Sequence, residues 1–397
     1  MTDEPFIEAE YCQFTKNGQA ACGDNVQIMK RDDGSRLLAA VCDGLGSGVK
    51  ANVMANMTGV MSLRFLESGM VDIREGMEII MDSLPMCSVR KISYSTFSLL
   101  DWRLGELGRI IEMGNPAYIH LRGTEEVQCV CERKIVSRHW PDREVREADI
   151  DIRTGDRIIL CSDGVTQAGL GSGGDLAFGW RRRGVLACAQ DAIRANPDVS
   201  AKELARVIAE RARDIVPGGC MDDITCFVCY LRRPRLMRVL SGPPFYRERD
   251  AEFASLARAL GEDHTLVCGG TTANILEREL GRRIEISMDD IRKAGKMPPA
   301  GTLRGVAKVT EGVLTLTRVT EELDDGHSAE GQPGPVKLVL DMFDAHDAVE
   351  FLIGTMVNEM HQEPSMPQDL DIRRTAIRRL ANILRRQYRK RVSVKFF

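Results

Sequence analysis

Five aspartates stand at the ends of apolar runs, and these are the residues of the sequence best suited to chemistry. Two of them follow an apolar run and are themselves followed by glycine, and three precede an apolar run: Asp43 and Asp163, then Asp24, Asp222 and Asp223. Short apolar runs of this kind are typical of buried strands, so the sequence predicts carboxylates at strand ends. If these strand ends meet in the fold, several carboxylates share one small space.

Carboxylates gathered in one place repel one another unless a cation lies between them. Ligand sets made only of oxygen suit hard divalent ions such as Mg²⁺ or Mn²⁺ rather than zinc. Two such ions about 3.5–4 Å apart can activate a water molecule and hold a phosphoryl oxygen. The glycines after Asp43 and Asp163 would let the backbone come close to a metal or a substrate. The pattern therefore indicates a divalent-metal site that acts on a phosphate.

The glycine-rich stretch CDGLGSG, residues 42–48, has other interpretations. A phosphate-binding P-loop requires Gly, four residues and then Gly-Lys-Ser/Thr, and a dinucleotide loop requires G-x-G-x-x-G, so neither spacing fits. An aspartate just before the turn would also repel a phosphate. A lone Asp-Gly is most often a simple turn cap. The repetition of the arrangement at Asp163 favours the metal site.

The order of the motifs CGDN, CDGLGSG, YSTFSLLD, MGNPAYI, CSDG and MDDIT resembles that of the metal-dependent 2C-type serine/threonine protein phosphatases. Within them it is similar to the branch typified by the stage II sporulation protein E phosphatase domain. The resemblance covers roughly residues 10–231. It implies an α+β fold, a four-layer α-β-β-α sandwich. It also implies hydrolysis of phosphoserine or phosphothreonine on a bacterial signalling protein by metal-bound hydroxide, without a phospho-enzyme.

The resemblance also implies a role for each aspartate. Asp43 would bridge two ions, Mn²⁺ or Mg²⁺, and the carbonyl of Gly44 would bind one of them. The other protein ligands would be three further aspartates: Asp24, Asp163 and Asp222. These four aspartates are the expected catalytic residues, with water filling most remaining positions around the ions. Asp223 stands where many relatives carry asparagine, and it is expected to contact the ligands rather than an ion.

Two features of larger relatives have no counterpart in this sequence. Those relatives carry an arginine upstream of the first metal motif that grips the phosphate, whereas FTKNGQAACGD supplies only Lys16 as a cation. The histidine that serves them as general acid has no evident equivalent. The sporulation branch generally lacks both residues, so phosphatase activity is still expected, and the phosphate anchor and the general acid stay unassigned.

Composition places the chain among ordinary soluble proteins. It has 397 residues, a net charge of −4, 43% hydrophobic and 28% charged residues. No apolar run approaches the roughly 20 residues of a membrane span, and the acidic N-terminus lacks the apolar core of a signal peptide. The 12 cysteines are scattered rather than arranged as a disulfide framework. We expect a cytoplasmic protein that binds neither membranes nor nucleic acid.

The stretch RRPR at 232–235 marks a predicted domain boundary. Residues 1–235 would be the phosphatase domain, and residues 236–397 a smaller αβ domain that is regulatory or ligand-sensing. Apolar residues at helical spacing in 48–84 predict switch helices. A homodimer contact or a regulatory partner is expected to act through them.

The stretch VCGGTTANILEREL, residues 267–280, predicts a strand, a glycine turn and a helix. Free amides and hydroxyls at a helix start favour an anion. The expected phosphate or nucleotide site consists of Gly269, Gly270, Thr271 and Thr272, and a capped tight turn is the alternative. The sequence further predicts a hairpin that turns at residues 311–312, a strand at 337–343 and a basic helix at 370–391.

Two other functions stay open. One is a phosphatase-fold sensor or binding module that does not hydrolyse and whose C-terminal domain binds an anion or a nucleotide. The other is a nucleotide-binding protein centred on Gly269 and Gly270 and regulated by its N-terminal half. The presence of all four expected ligand aspartates favours the enzyme.

Overall fold

The computed structural model describes residues 5–31, 34–69, 73–83, 95–136, 144–215, 220–326, 329–356 and 368–397. The chain divides into two compact units between Arg233 and Pro234, two residues before the predicted boundary. None of the described helices combines the length and the apolar character needed to cross a membrane.

The described residues of the N-terminal unit form eleven strands. They are β1 (Phe6–Phe14), β2 (Asp24–Lys30), β3 (Arg36–Gly44), β4 (Ser95–Arg103), β5 (Gly108–Met113), β6 (Ile119–Arg122), β7 (Glu125–Glu126), β8 (Cys131–Val136), β9 (Glu144–Ile150), β10 (Asp156–Cys161) and β11 (Ile224–Arg232). Its helices are α1 (Gly48–Ser68), α2 (Ile73–Ser83), α3 (Asp163–Thr166), α4 (Arg181–Ala195) and α5 (Ala201–Asp214). The strands form two antiparallel sheets, in the orders β2-β3-β4-β5-β9-β8 and β1-β11-β10-β6-β7.

The two sheets pack face to face, and helices cover the outer face of each. Alternate residues of β3, from Leu37 to Val41, contact the second sheet. The residues between them, from Leu38 to Cys42, contact α1 and α2. Helices α4 and α5 cover β10 and β11 in the same way. Because β3 is buried on both faces, its sequence is a continuous apolar run, and the predicted α-β-β-α sandwich is confirmed.

The C-terminal unit contains one mixed sheet. Its strands are β12 (Leu236–Ser241), β13 (Thr265–Cys268), β14 (Gly301–Leu303), β15 (Ala307–Thr310), β16 (Ala348–Ile353) and β17 (Arg391–Phe396). Its helices are α6 (Asp250–Leu260), α7 (Gly270–Leu280), α8 (Met288–Ala294), α9 (Val313–Asp324), α10 (Gly334–Ala345) and α11 (Gln368–Arg386). The sheet order is β14-β15-β13-β12-β16-β17, and every neighbouring pair except β14–β15 is parallel.

Helices cover both faces of this sheet. Helices α6 and α7 pack on one face, and α9, α10 and α11 pack on the other. Without β14, the parallel strands follow the order 3-2-1-4-5, which is a doubly wound arrangement. The predicted smaller αβ domain is therefore confirmed as a fold.

Two local predictions for the C-terminal unit are wrong. The chain turns between β14 and β15 at residues 304–306, and the predicted second arm of the hairpin, after residue 312, is helix α9. The predicted strand at 337–343 lies inside α10. Its buried residues recur at helical spacing, from Val336 through Val339 and Leu340 to Phe343. A short apolar run fits a buried strand or a buried helix equally well, and here packing on the sheet selects the helix.

Candidate metal centre

Strand pairing places two of the predicted aspartates side by side. Asp24 at the start of β2 lies directly opposite Asp43 near the end of β3. On the other side of β3, Asp43 lies opposite Thr96 of β4. Asp24 is buried, with only 2% of its surface exposed. Like charges at directly opposite positions destabilise a sheet, so this pair needs compensation.

Strands β10 and β11 bring two more aspartates to the same end of the sandwich. Helix α3 begins at Asp163, two residues after the last residue of β10, and Asp222 precedes β11. Gly164 packs against this second segment. A Cβ on Gly164 would lie 2.0 Å from the carbonyl oxygen of Asp223 and 3.4 Å from Cβ of Asp222. Only glycine permits this close approach.

The electrostatics show that all five aspartates are neighbours. Burial, followed by the charges of Asp24, Asp163, Asp222 and Asp223, raises the pKa of Asp43 to about 9. Burial also raises the pKa of Asp24 to about 7, and nearby Asp223 and Asp163 add to the increase. Burial and the charge of Asp222 raise the pKa of Asp163. The structure therefore brings together every aspartate singled out in the sequence of the N-terminal unit.

Thr225 orients the carboxylate of Asp24, and the sequence analysis did not identify it. Its hydroxyl donates to Oδ2 of Asp24 at 2.6 Å and accepts a hydrogen bond from Nε2 of Gln13 at 2.9 Å. Its amide donates to Oγ of Ser162 at 3.0 Å. The threonine that follows the paired aspartates of the motif MDDIT was the available signal.

Asp223 binds the backbone of the loop that precedes β2. Its Oδ1 accepts the amide of Lys16 at 2.8 Å, and its Oδ2 accepts the amide of Gly23 at 2.8 Å. The residue is buried. Both carboxylate oxygens therefore hold this loop, and the Nζ of Lys16 in turn lies 3.4 Å from Oδ1 of Asp222.

Helix α1 packs directly on the segments that carry the aspartates. A Cβ on Gly44 would lie only 2.0 Å from the carbonyl oxygen of Ala51 in α1. The side-chain amide of Asn52, also in α1, donates to the carbonyl of Cys22 at 2.8 Å. A shift of α1 would therefore move the backbone beside Asp24 and Asp43.

Comparison with known proteins identifies a family for this chain. The family model described as stage II sporulation protein E (SpoIIE) matches residues 33–232, about half of the chain. The chain belongs to the SpoIIE family. Members of this family carry a 2C-type phosphatase domain.

Individual relatives are distant. The stage II sporulation protein E of Bacillus subtilis (strain 168) is 26% identical over 156 residues, which are 38% of this chain and 18% of that protein. The chain thus spans less than a fifth of the length of that curated relative. The solved phosphatase domain of the Bacillus subtilis SpoIIE, with a fragment of its regulatory domain, is 20% identical. It matches with a TM-score of 0.46 over 58% of this chain and 63% of that one.

A second solved structure is RsbX in complex with magnesium. It is 17% identical and has a TM-score of 0.39, over 58% of this chain and 98% of that one. Its bound magnesium is a property of that protein.

The carboxylate cluster of this SpoIIE-family chain fits hydrated hard ions. Within the described residues, no group of three or more His, Cys, Asp or Glu side chains is placed so that it could hold a metal ion by itself. The ions would therefore keep much of their water, as Mg²⁺ does when it binds through one or two carboxylates. Burial, and then the neighbouring carboxylates, raise the pKa values of Asp24 and Asp43, and a bound cation would favour their ionised forms. Asp24, Asp43, Asp163 and Asp222 would hold the ions.

The anion site expected in the C-terminal unit lies at the carboxyl end of β13. Gly269 precedes α7, and Gly270 and Thr271 in its first turn are exposed. Thr272 is buried, and its hydroxyl accepts the amide of Gly242 at 2.8 Å. The structure therefore brings Gly269, Gly270 and Thr271 to one exposed turn and directs Thr272 towards the segment after β12.

Proposed function

We propose that this SpoIIE-family chain is a protein serine/threonine phosphatase that uses two Mn²⁺ or Mg²⁺ ions. Its substrate would be phosphoserine or phosphothreonine on a bacterial signalling protein in the cytoplasm. The observation that carries this proposal is the meeting of Asp24, Asp43, Asp163 and Asp222 at one end of the sandwich. Burial, followed by the charges of the neighbouring aspartates, raises the pKa of Asp43 to about 9, so a divalent cation would stabilise the ionised site.

The chain's own residues would bind and orient. The ions would supply activation of a water molecule and neutralisation of charge on the phosphate. Asp43, together with Asp24, Asp163, Asp222 and the carbonyl of Gly44, would hold the ions. Thr225 fixes the orientation of Asp24 through its 2.6 Å hydrogen bond. The side-chain amide of Gln167 does the same for Asp163, donating to its Oδ2 at 2.9 Å.

We also propose that partners regulate the enzyme through α1 and α2. Three apolar side chains of α1 are exposed: Val49, Val53 and Val60. The same helix contacts the metal-site backbone at Gly44 and Cys22. We expect α1 to have more than one position, only one of which leaves the metal site able to bind its ions. A second copy of the chain or a regulatory protein that binds one position more tightly than the other would shift the equilibrium towards it. Parts of the expected switch segment, residues 70–72 and residue 84, lie outside the described residues.

The C-terminal unit is proposed as the ligand-sensing part. Its sheet is doubly wound, and many proteins with such a sheet bind ligands at the carboxyl ends of the strands, where the strand order reverses. The exposed turn at Gly270 and Thr271 lies at this end of the sheet. This anion site stays a prediction. The second candidate function for the whole chain is a phosphatase-fold sensor or binding module that does not hydrolyse phosphate esters.

Hydrolysis of p-nitrophenyl phosphate and of a phosphoserine peptide, with and without millimolar Mn²⁺, tests the proposal. Manganese-dependent turnover is expected for the wild type and its loss for Asp43→Ala. Absence of turnover in both, with Mn²⁺ still bound by the wild type, would favour the sensor module. Repeating the assay on residues 1–235 separates an enzyme inhibited by its C-terminal unit, which would recover activity, from a protein without activity.

A further inference from the structure

The segment between α3 and α4 folds back on the metal centre. Gly179 packs against α3, since a Cβ there would lie 2.8 Å from the carbonyl oxygen of Thr166. The amide of Trp180 donates to the carbonyl of Ala168 at 2.9 Å. Gln167, which Gly179 also contacts, donates to Oδ2 of Asp163. Gly179 therefore contacts Gln167, which is hydrogen-bonded to the predicted metal ligand Asp163.

Two exposed apolar side chains lie at the base of this loop, where its two ends are hydrogen-bonded to each other. The amide of Gly171 donates to the carbonyl of Ala177 at 3.4 Å, which closes the loop between them. Leu170 lies just before this hydrogen bond, and Phe178 lies just after it with 71% of its surface exposed. On the other predicted ligand segment, Met221 is 73% exposed and directly precedes Asp222. Two large apolar side chains, Phe178 and Met221, are therefore exposed on the segments that follow Asp163 and precede Asp222.

The start of α4 has two further features that reduce the stability of the folded state. Arg181 has a φ of +60°, a left-handed conformation that is uncommon for a residue other than glycine. Three arginines occupy the first turn of the helix, where the helix dipole favours negative charge. Such local costs, concentrated in one place, point to function.

The three arginines are not equivalent. Arg182 pairs with Glu126 and donates to the carbonyl of Tyr118 at 2.8 Å. Arg181 and Arg183 are exposed, and neither has a carboxylate partner in the part of the chain that the structure describes. The guanidinium carbon of Arg181 lies 4.6 Å from the centre of the Phe178 ring. The ring of Phe178 and the guanidinium of Arg181, which has no carboxylate partner among the described residues, therefore lie next to each other on the surface.

We infer that Phe178 and Arg181 form a docking surface for the substrate polypeptide next to its phosphorylated residue. The surface fits a segment with acidic side chains and an apolar side chain, because unpaired guanidinium groups select carboxylates and the exposed ring offers apolar contact. The helix start adds a preference for negative charge. This inference rests on the proposed phosphatase function and names the class of its substrate.

Three phosphoserine peptides that differ only in acidic, neutral or basic flanking residues test the docking surface. The assays measure kcat/KM for each peptide and for p-nitrophenyl phosphate. Labelled phosphonate versions of the peptides, which cannot be hydrolysed, give affinities by fluorescence anisotropy. The variants are Phe178→Ala and Arg181→Glu. The matched controls, at the opposite end of β4 and β5, are the exposed Leu107→Ala and the exposed Arg103→Glu.

We expect the wild type to bind and hydrolyse the acidic peptide about tenfold better than the basic one, as charge complementarity across an interface allows. Arg181→Glu should abolish or reverse this ranking, and Phe178→Ala should weaken the binding of all three peptides. Both controls should keep the wild-type ranking. Turnover of p-nitrophenyl phosphate, which carries no flanking residues, reports whether each variant keeps an intact metal site.

The docking inference is overturned if the wild type shows no preference for the acidic peptide, or if Arg181→Glu keeps the wild-type ranking. Failure of the phosphatase proposal has a different signature, which is the absence of Mn²⁺-dependent turnover of p-nitrophenyl phosphate in the wild type. In that case the anisotropy measurements still decide whether this surface binds acidic phosphopeptides.

Discussion

Asp24 and Asp43 lie directly opposite each other on the antiparallel strands β2 and β3. Burial and the neighbouring carboxylates raise the pKa of Asp24 to about 7 and that of Asp43 to about 9. A sheet gains nothing from two carboxylates in this arrangement, because like charges at opposite positions repel. The metal-free fold therefore holds an electrostatic cost that a divalent cation would remove.

Mn²⁺ is expected to stabilise the wild-type protein and not Asp43→Asn. A ligand that binds only the native state raises the unfolding free energy by about 2.7 kcal/mol at a concentration 100 times its Kd. Thermal unfolding in chelator and in excess Mn²⁺ measures the shift. In chelator, Asp43→Asn should be at least as stable as the wild type, since the substitution removes repulsion. An equal Mn²⁺ shift in both proteins would contradict this assignment of Asp43.

The stability of the metal-free protein is expected to fall as pH rises from about 4 to about 9. The raised pKa values of Asp24 and Asp43 mean that the folded state binds more protons than the unfolded state over this range, where the unfolded carboxyls have pKa values near 3.9. Unfolding free energy then decreases with pH.

Urea unfolding in chelator at several pH values measures this dependence. Asp43→Asn serves as the comparison, because it retains the other titrating groups of the protein and lacks this one. Its unfolding free energy should vary less with pH between about 4 and 9 than that of the wild type. Identical pH profiles for the two proteins would show that Asp43 titrates normally.

Asp223→Ala is expected to destabilise the protein by about 2–4 kcal/mol, because it leaves the buried amide of Gly23 and the partly buried amide of Lys16 without their acceptor. Asp223→Asn should cost less, since its single oxygen still accepts one of the two amides. Chemical denaturation gives both values. Asp191→Ala, which removes an exposed aspartate of α4, is the control and should change stability by less than about 0.5 kcal/mol. A near-neutral Asp223→Ala would mean that this loop is not held by Asp223.

Gly44→Ala is expected to cost at least about 3 kcal/mol, because the new Cβ would overlap the backbone of α1 rather than a flexible side chain. The helix must move, so Mn²⁺ affinity should fall as well. Gly270→Ala is the matched control, since a Cβ there meets no atom within 4 Å. Denaturation and Mn²⁺ titration of both variants distinguish a local clash from a general glycine effect. Equal stability of the two variants would contradict the close contact between Gly44 and α1.

The two units are expected to unfold separately, because each has its own core clusters. Calorimetry of the whole chain should show two transitions, since independent domains do not unfold as one cooperative unit. Fragments 1–233 and 234–397 should each reproduce one of them. If the fragment 1–233 were unfolded on its own, the C-terminal unit would be part of the same cooperative structure.

Local patterns predicted the parts of the fold that are apolar on both faces. Strands β3 and β10 were predicted because their runs are continuous and end in Asp-Gly. Strand β16 was not, because Glu350 interrupts its apolar sequence. In the fold, this buried carboxylate pairs with Arg238 on the neighbouring strand β12, and Lys395 of β17 also reaches it. A charge in a buried strand is acceptable only with such partners, and they are far apart in the sequence.

The sequence by itself determined which carboxylates stand at strand ends and that glycine accompanies two of them. Only the tertiary structure decided which ends meet. The Thr225 hydroxyl reaches Asp24 across 201 positions of sequence, and the amide of Gly23 reaches Asp223 across 200. The exposed ring of Phe178 beside Arg181 likewise depends on how a loop folds back on α3. Hydrophobic periodicity specifies how each segment is buried, whereas sheet order and register specify which distant residues become neighbours.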